Sequence, residues 1–247
     1  MSEQEPIAAG PRDAAGSGWI NLLKKSTIAA IVVVAIINVL AGIIPPLVVF
    51  AVVWIIGVIW LGRASKGPAI LLLVGFIAFL ILSAPFVLPT LVVPASAGDF
   101  ILNLASLLAA LLGITAAIAV LRRRDDASGM PRTLGRAAIG LFVIGAAVSV
   151  FSTITYDDAV AQEGDISLVT QDIEFQDTTL EGEAGEVSVF IDNKDATLHT
   201  FTIEELDVHL DIPASKSARI TFTAEPGTYE FICVPHETDM SGTLVVE

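Results

Sequence analysis

Tyr229-Glu-Phe-Ile-Cys-Val-Pro-His-Glu-Thr-Asp-Met240 is the stretch on which the reading of this chain turns. Tyr229, Phe231 and Cys233 fall on one face of a short alternating strand, which the Glu225-Pro226-Gly227 turn introduces. Past its end the pattern is Cys-x2-His-x3-Met, so a thiol, an imidazole and a thioether leave the end of one strand together. A second imidazole, His199, lies 34 residues upstream of Cys233.

The flanking sequence is strand-like as well. Val187, Val189 and Ile191 alternate with Ser188, Phe190 and Asp192. His199, Phe201 and Ile203 alternate with Thr200 and Thr202, and Ile220 and Phe222 with Thr221 and Thr223. Thr243–Val246 makes a last strand. About seven short strands punctuated by Gly, Pro and Asp/Asn predict a β-sandwich. No helical period stands out after Asp157.

Taken one at a time, the donors have plain structural readings. Cys233 could be a small buried hydrophobe, Met240 a core gap-filler and His236 a surface residue. A zinc site completed by an Asp or Glu is also compatible with one Cys and two His. Taken together, the only cysteine, two of the three histidines and the last methionine meet at this spacing. One thiolate and two imidazoles with a weak axial thioether is the set suited to a copper ion that changes oxidation state. The residues expected to hold the metal are therefore His199, Cys233, His236 and Met240. His209 has no place in that set and is expected on an exposed loop or strand. A single cysteine also rules out an internal disulfide.

From about Ile173 to Glu247 the chain resembles the cupredoxins, the small blue copper proteins that include plastocyanin, amicyanin and halocyanin. Val187-Ser-Val-Phe-Ile-Asp-Asn-Lys-Asp-Ala-Thr-Leu-His-Thr-Phe201 is similar to the family's strand and loop leading to a first ligand. Gly227–Cys233 is similar to the strand carrying the thiolate, and Met240–Val246 to the closing strand. The resemblance implies an all-β Greek-key sandwich holding one type 1 copper ion. It also implies that His236 is the ligand nearest the surface and the electron port, with Pro235 in an apolar rim, and that Asn193 hydrogen-bonds near the ligand loop. The dinuclear copper centre of cytochrome oxidase needs two cysteines, and multicopper oxidases need several such domains, so both are excluded for this chain alone.

The first half of the chain is of another kind. Apolar residues make up 54% of the sequence, and the excess lies in long runs from Ser26 to Tyr156. A helix crosses the hydrocarbon core with about 20 apolar residues. Five spans are expected, at 26–44, 47–61, 68–93, 100–121 and 137–156, with Pro45-Pro46 breaking the first long run into a hairpin of two short ones. Lys24, Lys25, Arg63, Lys66, Arg122, Arg123, Arg124, Arg132 and Arg136 then all fall on one side, read as cytoplasmic. The predicted layout is a cytoplasmic tail (1–25), a transmembrane region (26–156), a linker (157–165) and an extracytoplasmic β-domain (166–247) of a multi-pass cell-membrane protein. These spans contain no Asp, Glu, Lys, Arg or His, which excludes a histidine-held membrane haem and favours an anchor over a transporter. Asn38 and Asn103 are expected to bond between helices, and Gly140, Gly145, Ala146 and Ala147 to serve helix contact.

Charge divides at the same place. Residues 157–247 carry 21 acids against Lys194, Lys216 and Arg219, a net of −18, and residues 1–156 carry 6 acids and 10 bases, a net of +4. An acidic domain is no partner for nucleic acid; its charge either steers a basic redox protein, such as a small cytochrome, or simply serves solubility. The expected function is a membrane-anchored carrier of single electrons between a respiratory complex and another redox protein, not an enzyme. Copper storage, delivery or sensing, and a role as assembly subunit of a larger respiratory complex, are the competing readings.

Overall fold

The computed structural model describes residues 17–61, 66–124 and 129–247. Five helices precede nine strands: α1 (Ser17–Leu40), α2 (Pro45–Trp60), α3 (Gly67–Val92), α4 (Ala97–Leu121) and α5 (Met130–Ile154), then β1 (Ile166–Gln171), β2 (Glu174–Phe175), β3 (Thr179–Gly182), β4 (Gly185–Asn193), β5 (His199–Ile203), β6 (Val208–Ile212), β7 (Ser217–Ala224), β8 (Gly227–Ile232) and β9 (Ser241–Val246). Two compact units emerge, one of Met1–Ala84 with Leu104–Ile144, the other of Pro85–Asn103 with Gly145–Glu247.

Four of the helices are long and apolar enough to cross a membrane, and α2, at 16 residues, is shorter. The break falls just before two prolines, which a helix tolerates only in its first turn. α1 stops at Leu40 and α2 starts on Pro45. Asn38 turns out to work locally and not between helices. Its Nδ2 donates to the Val34 carbonyl at 2.8 Å and its Oδ1 accepts the Ile44 N–H at 2.8 Å, closing the chain between the two helices. Asn103 does bond across, donating to Thr90 Oγ1 of α3 at 2.8 Å. Gly140 meets nothing within 4 Å, so it mediates no helix contact among the described residues. The helices also run past the expected spans. Lys24 and Lys25 lie within α1, Asp99 in the first turn of α4, and Arg132 and Arg136 within α5. The first unit packs around fully buried Trp54 and Phe76, with Phe50 and Phe79 against Trp54.

The β-domain has two sheets, ordered β2-β1-β4-β7 and β3-β9-β8-β5-β6. β1 runs parallel to β4 and β3 parallel to β9, while the other pairs are antiparallel. The expected alternation in β4 is present, with Val187, Val189 and Ile191 buried. Their faces join Leu168, Phe201, Phe231, Leu244 and Val246 in one core. The two strands beyond the seven expected include two-residue β2 and four-residue β3, too short to show a period. The 157–165 segment is fastened to β7. Asp158 accepts from the Ser217 N–H at 3.0 Å, and both carboxylate oxygens of Asp165 accept from the Arg219 guanidinium.

Candidate metal centre

β5 and β8 are neighbours in the second sheet, and this places His199, at the start of one, beside Cys233, just past the end of the other. Phe201 and Phe231 pack beneath them with ring centroids 5.2 Å apart. The loop after Cys233 folds back on itself. The Cys233 N–H donates to the Met240 carbonyl at 3.0 Å, and the His236 carbonyl accepts N–H groups from Asp239 and Met240 at 2.9 and 2.8 Å. The Val234 N–H donates to Thr200 Oγ1 at 2.8 Å, tying the loop to β5.

The candidate donor atoms converge. His199, Cys233 and His236 offer donor atoms that lie within 4.8 Å of one another. Cys233 Sγ is 3.6 Å from His199 Nδ1 and 3.5 Å from His236 Nδ1. Donors bound at the usual metal–nitrogen and metal–sulfur lengths and 110–120° apart sit about 3.6–3.8 Å from each other, so the spacing fits one shared ion. Cys233, His199 and Met240 are fully buried, and His236 is partly exposed. Met240 closes the loop from the core side, next to Cys233 through its backbone.

The protonation chemistry suits metal uptake. His199 Nε2 lies 2.8 Å from Asp195 Oδ2. A carboxylate only accepts, so the ring proton sits on Nε2 and the lone pair on Nδ1 faces the sulfur. Burial lowers the pKa of His199 despite Asp195, and burial together with nearby His199 lowers that of His236 to about 4. Burial pushes the Cys233 thiol up, with the Thr200 N–H, 3.3 Å from Sγ, acting against it. A cation is what converts such a thiol to thiolate. Burial acts to raise the Asp195 carboxyl, yet the hydrogen bonds from His199 and from the Ile173 and Asp172 N–H groups leave it below its ordinary value.

Residues 141–246 match the family model of the cupredoxin-like domain. The C-terminal region is a cupredoxin-like domain. The match begins inside α5 and ends at the last strand. Among solved structures, a reduced amicyanin variant is 22% identical, covering 35% of this chain and 86% of that one at a TM-score of 0.31. The Cu(I) form of another amicyanin variant at pH 4 is 26% identical, with coverage of 35% and 86% and a TM-score of 0.30. Amicyanin from Paracoccus versutus (Thiobacillus versutus) is 16% identical, with coverage of 35% and 85% and a TM-score of 0.30. No curated protein matches the chain. A cupredoxin-like domain with a His-Cys-His group is suited to a type 1 copper ion.

His209 is exposed on β6, where Nδ1 meets Thr202 Oγ1 at 2.8 Å, away from the cluster. Asn193 bonds into the loop that leads to His199, donating to the Thr197 carbonyl at 2.9 Å. Pro235 is buried, and the exposed apolar residue of the loop is Val234. Two carboxylates escaped the sequence reading. Asp195 lies four residues before His199 in a turn-forming Asn-Lys-Asp segment, a spacing that could have marked it. Asp99 is the only acid between Asp13 and Asp125, and its isolation was the available signal.

Proposed function

We propose that this chain is a membrane-anchored type 1 copper protein that passes single electrons on the outer face of the membrane, with His199, Cys233, His236 and Met240 as ligands. The observation that carries the reading is the buried sulfur with two imidazole nitrogens about it, the sulfur met by the Thr200 N–H and the His199 ring held by Asp195. A copper ion held by these residues would supply one-electron exchange. The chain's own residues do the rest. Asp195 orients His199, the Thr200 N–H donates toward the sulfur, and the self-bonded 233–240 loop limits movement between the two charge states. Partly exposed His236, beside exposed Val234, is the way in and out for the electron. A set of four protein ligands leaves no position for substrate, which favours a carrier over an enzyme.

The layout that goes with this function is a cytoplasmic tail (1–25), spans between 26 and 156, a junction at 157–165 and the β-domain (166–247) outside. The basic residues at one set of helix ends and the strongly acidic domain at the other support it. The partner on the outer face is a redox protein with a basic surface, a small cytochrome or a respiratory complex. Copper storage or delivery is the alternative, and rate separates the two: a carrier exchanges electrons quickly with a small cytochrome and a store does not.

The test is a visible and electron paramagnetic resonance spectrum of the full chain in detergent with Cu(II). An intense blue colour that disappears on reduction and is abolished by Cys233→Ser is the expected result. A colourless protein carrying stoichiometric copper would sink the proposal.

A further inference from the structure

The turn joining α3 to α4 grips the loop that delivers the first ligand. Asp99 Oδ2 accepts three hydrogen bonds, from the Leu198 N–H at 2.6 Å, the Thr197 hydroxyl at 3.0 Å and the Ser96 hydroxyl at 3.1 Å. Ser96 Oγ in turn accepts the Ala214 N–H at 3.3 Å, from the turn after β6. The α3–α4 turn is itself fixed from α5, where Ser149 donates to the Pro94 carbonyl at 2.7 Å and Thr153 to the Ala95 carbonyl at 2.8 Å. All these residues belong to one compact unit.

Leu198 immediately precedes His199, and its N–H bonds to a carboxylate 99 residues away, outside the β-domain. Hydrogen bonds to an ionised carboxylate are shorter and roughly twice as strong as neutral ones. Two of the three on this oxygen, from the Leu198 N–H and the Thr197 hydroxyl, tie 197–198 to the start of α4, and Asp195 then fixes the ring of His199 from its other nitrogen.

We propose that Asp99 is a positioning residue for the metal centre: it sets the backbone entering His199, so that the start of a membrane helix and the ligand set behave as one body. This rests on the copper reading above. A purely packing role would predict lost stability alone. A positioning role also predicts altered metal spectroscopy, and the carboxylate's charge, which favours the more highly charged oxidised ion, predicts an effect on the reduction potential.

The experiment uses the full chain in detergent as wild type, Asp99→Ala and Asp99→Asn. In metal-free protein, amide exchange at Leu198 is expected to quicken at least tenfold in Asp99→Ala and to return toward the wild-type rate in Asp99→Asn, which keeps an acceptor. With copper bound, Asp99→Ala is expected to change the copper hyperfine splitting, and Asp99→Asn to raise the reduction potential without lowering the unfolding temperature comparably. Unchanged Leu198 exchange and unchanged copper spectra in Asp99→Ala would overturn the proposal. Should Asp99→Ala fail to fold, Asp99→Asn decides: a potential equal to wild type overturns it. Failure of wild type to turn blue defeats the copper reading instead, and the metal-free exchange comparison still tests Asp99.

Discussion

His236 and His199 stand ready to ligate because burial keeps their rings neutral at physiological pH. That has a cost on acidification. His236 titrates near its ordinary 6.5 when unfolded and at about 4 when folded. Between those values the unfolded chain binds more protons, so stability rises with pH there and falls as pH drops through 6.5 toward 4. Metal-free protein is expected to lose on the order of 2–3 kcal/mol over that window from this residue. Urea unfolding at a series of pH values measures it, and a His236→Gln chain should show a flatter profile. Asn193 is the other residue with a large expected effect. Its amide nitrogen donates to the carbonyls of Thr197, Ile212 and Pro213, and its oxygen accepts from the Thr170 hydroxyl and the Asp195 N–H. Truncation strands several buried polar groups at once, so Asn193→Ala should destabilise the β-domain by about 3 kcal/mol in the same assay. The candidate His199-Cys233-His236 group is legible in residue types and spacing. Asp195 offered only its place four residues before His199, and an acid in a turn is ordinary until a buried ring is known to lie against it.

β8 and β9 form the hairpin that carries the ligand loop, and its fit depends on a missing side chain. Phe231 is paired with Gly242 across the ladder and is fully buried. A methyl group at 242 would fall inside the Phe231 ring, which has no free space to move into. Gly242→Ala should therefore cost about 1–3 kcal/mol, and comparison with Gly140→Ala, where the position is open, checks that the loss is steric. A strand's period is legible in the sequence where one face meets the core, as in β4. β5 is buried at all five positions, against an alternation that puts Thr200 and Thr202 outside. Thr200 accepts from the Val234 N–H and Thr202 meets His209, so polar side chains are covered by neighbours that no local period announces. The helices outrun their apolar spans for a related reason. Arg132 and Arg136 continue α5 below its apolar run, since long basic side chains can extend their heads to water from a helix end.

The whole molecule joins a basic half rich in apolar helix to an acidic β-domain. In the proposed orientation Lys194 faces outward, where its side chain is 53% exposed, and Lys24 faces the cytoplasm. A membrane-impermeant amine reagent added to intact cells should modify Lys194 and spare Lys24. The reverse pattern would invert the topology. Amino-acid order by itself determined the ligand types, the apolar runs, the proline break and the division of charge, because each is a property of near neighbours. Only the tertiary structure decided that Asn38 serves its own chain turn, that Phe231 occupies the space above Gly242, and that Asp195 and Asp99 stand behind the first ligand. Those contacts depend on which elements pack side by side, and a carboxylate 99 residues from the N–H it accepts leaves no periodic trace between them.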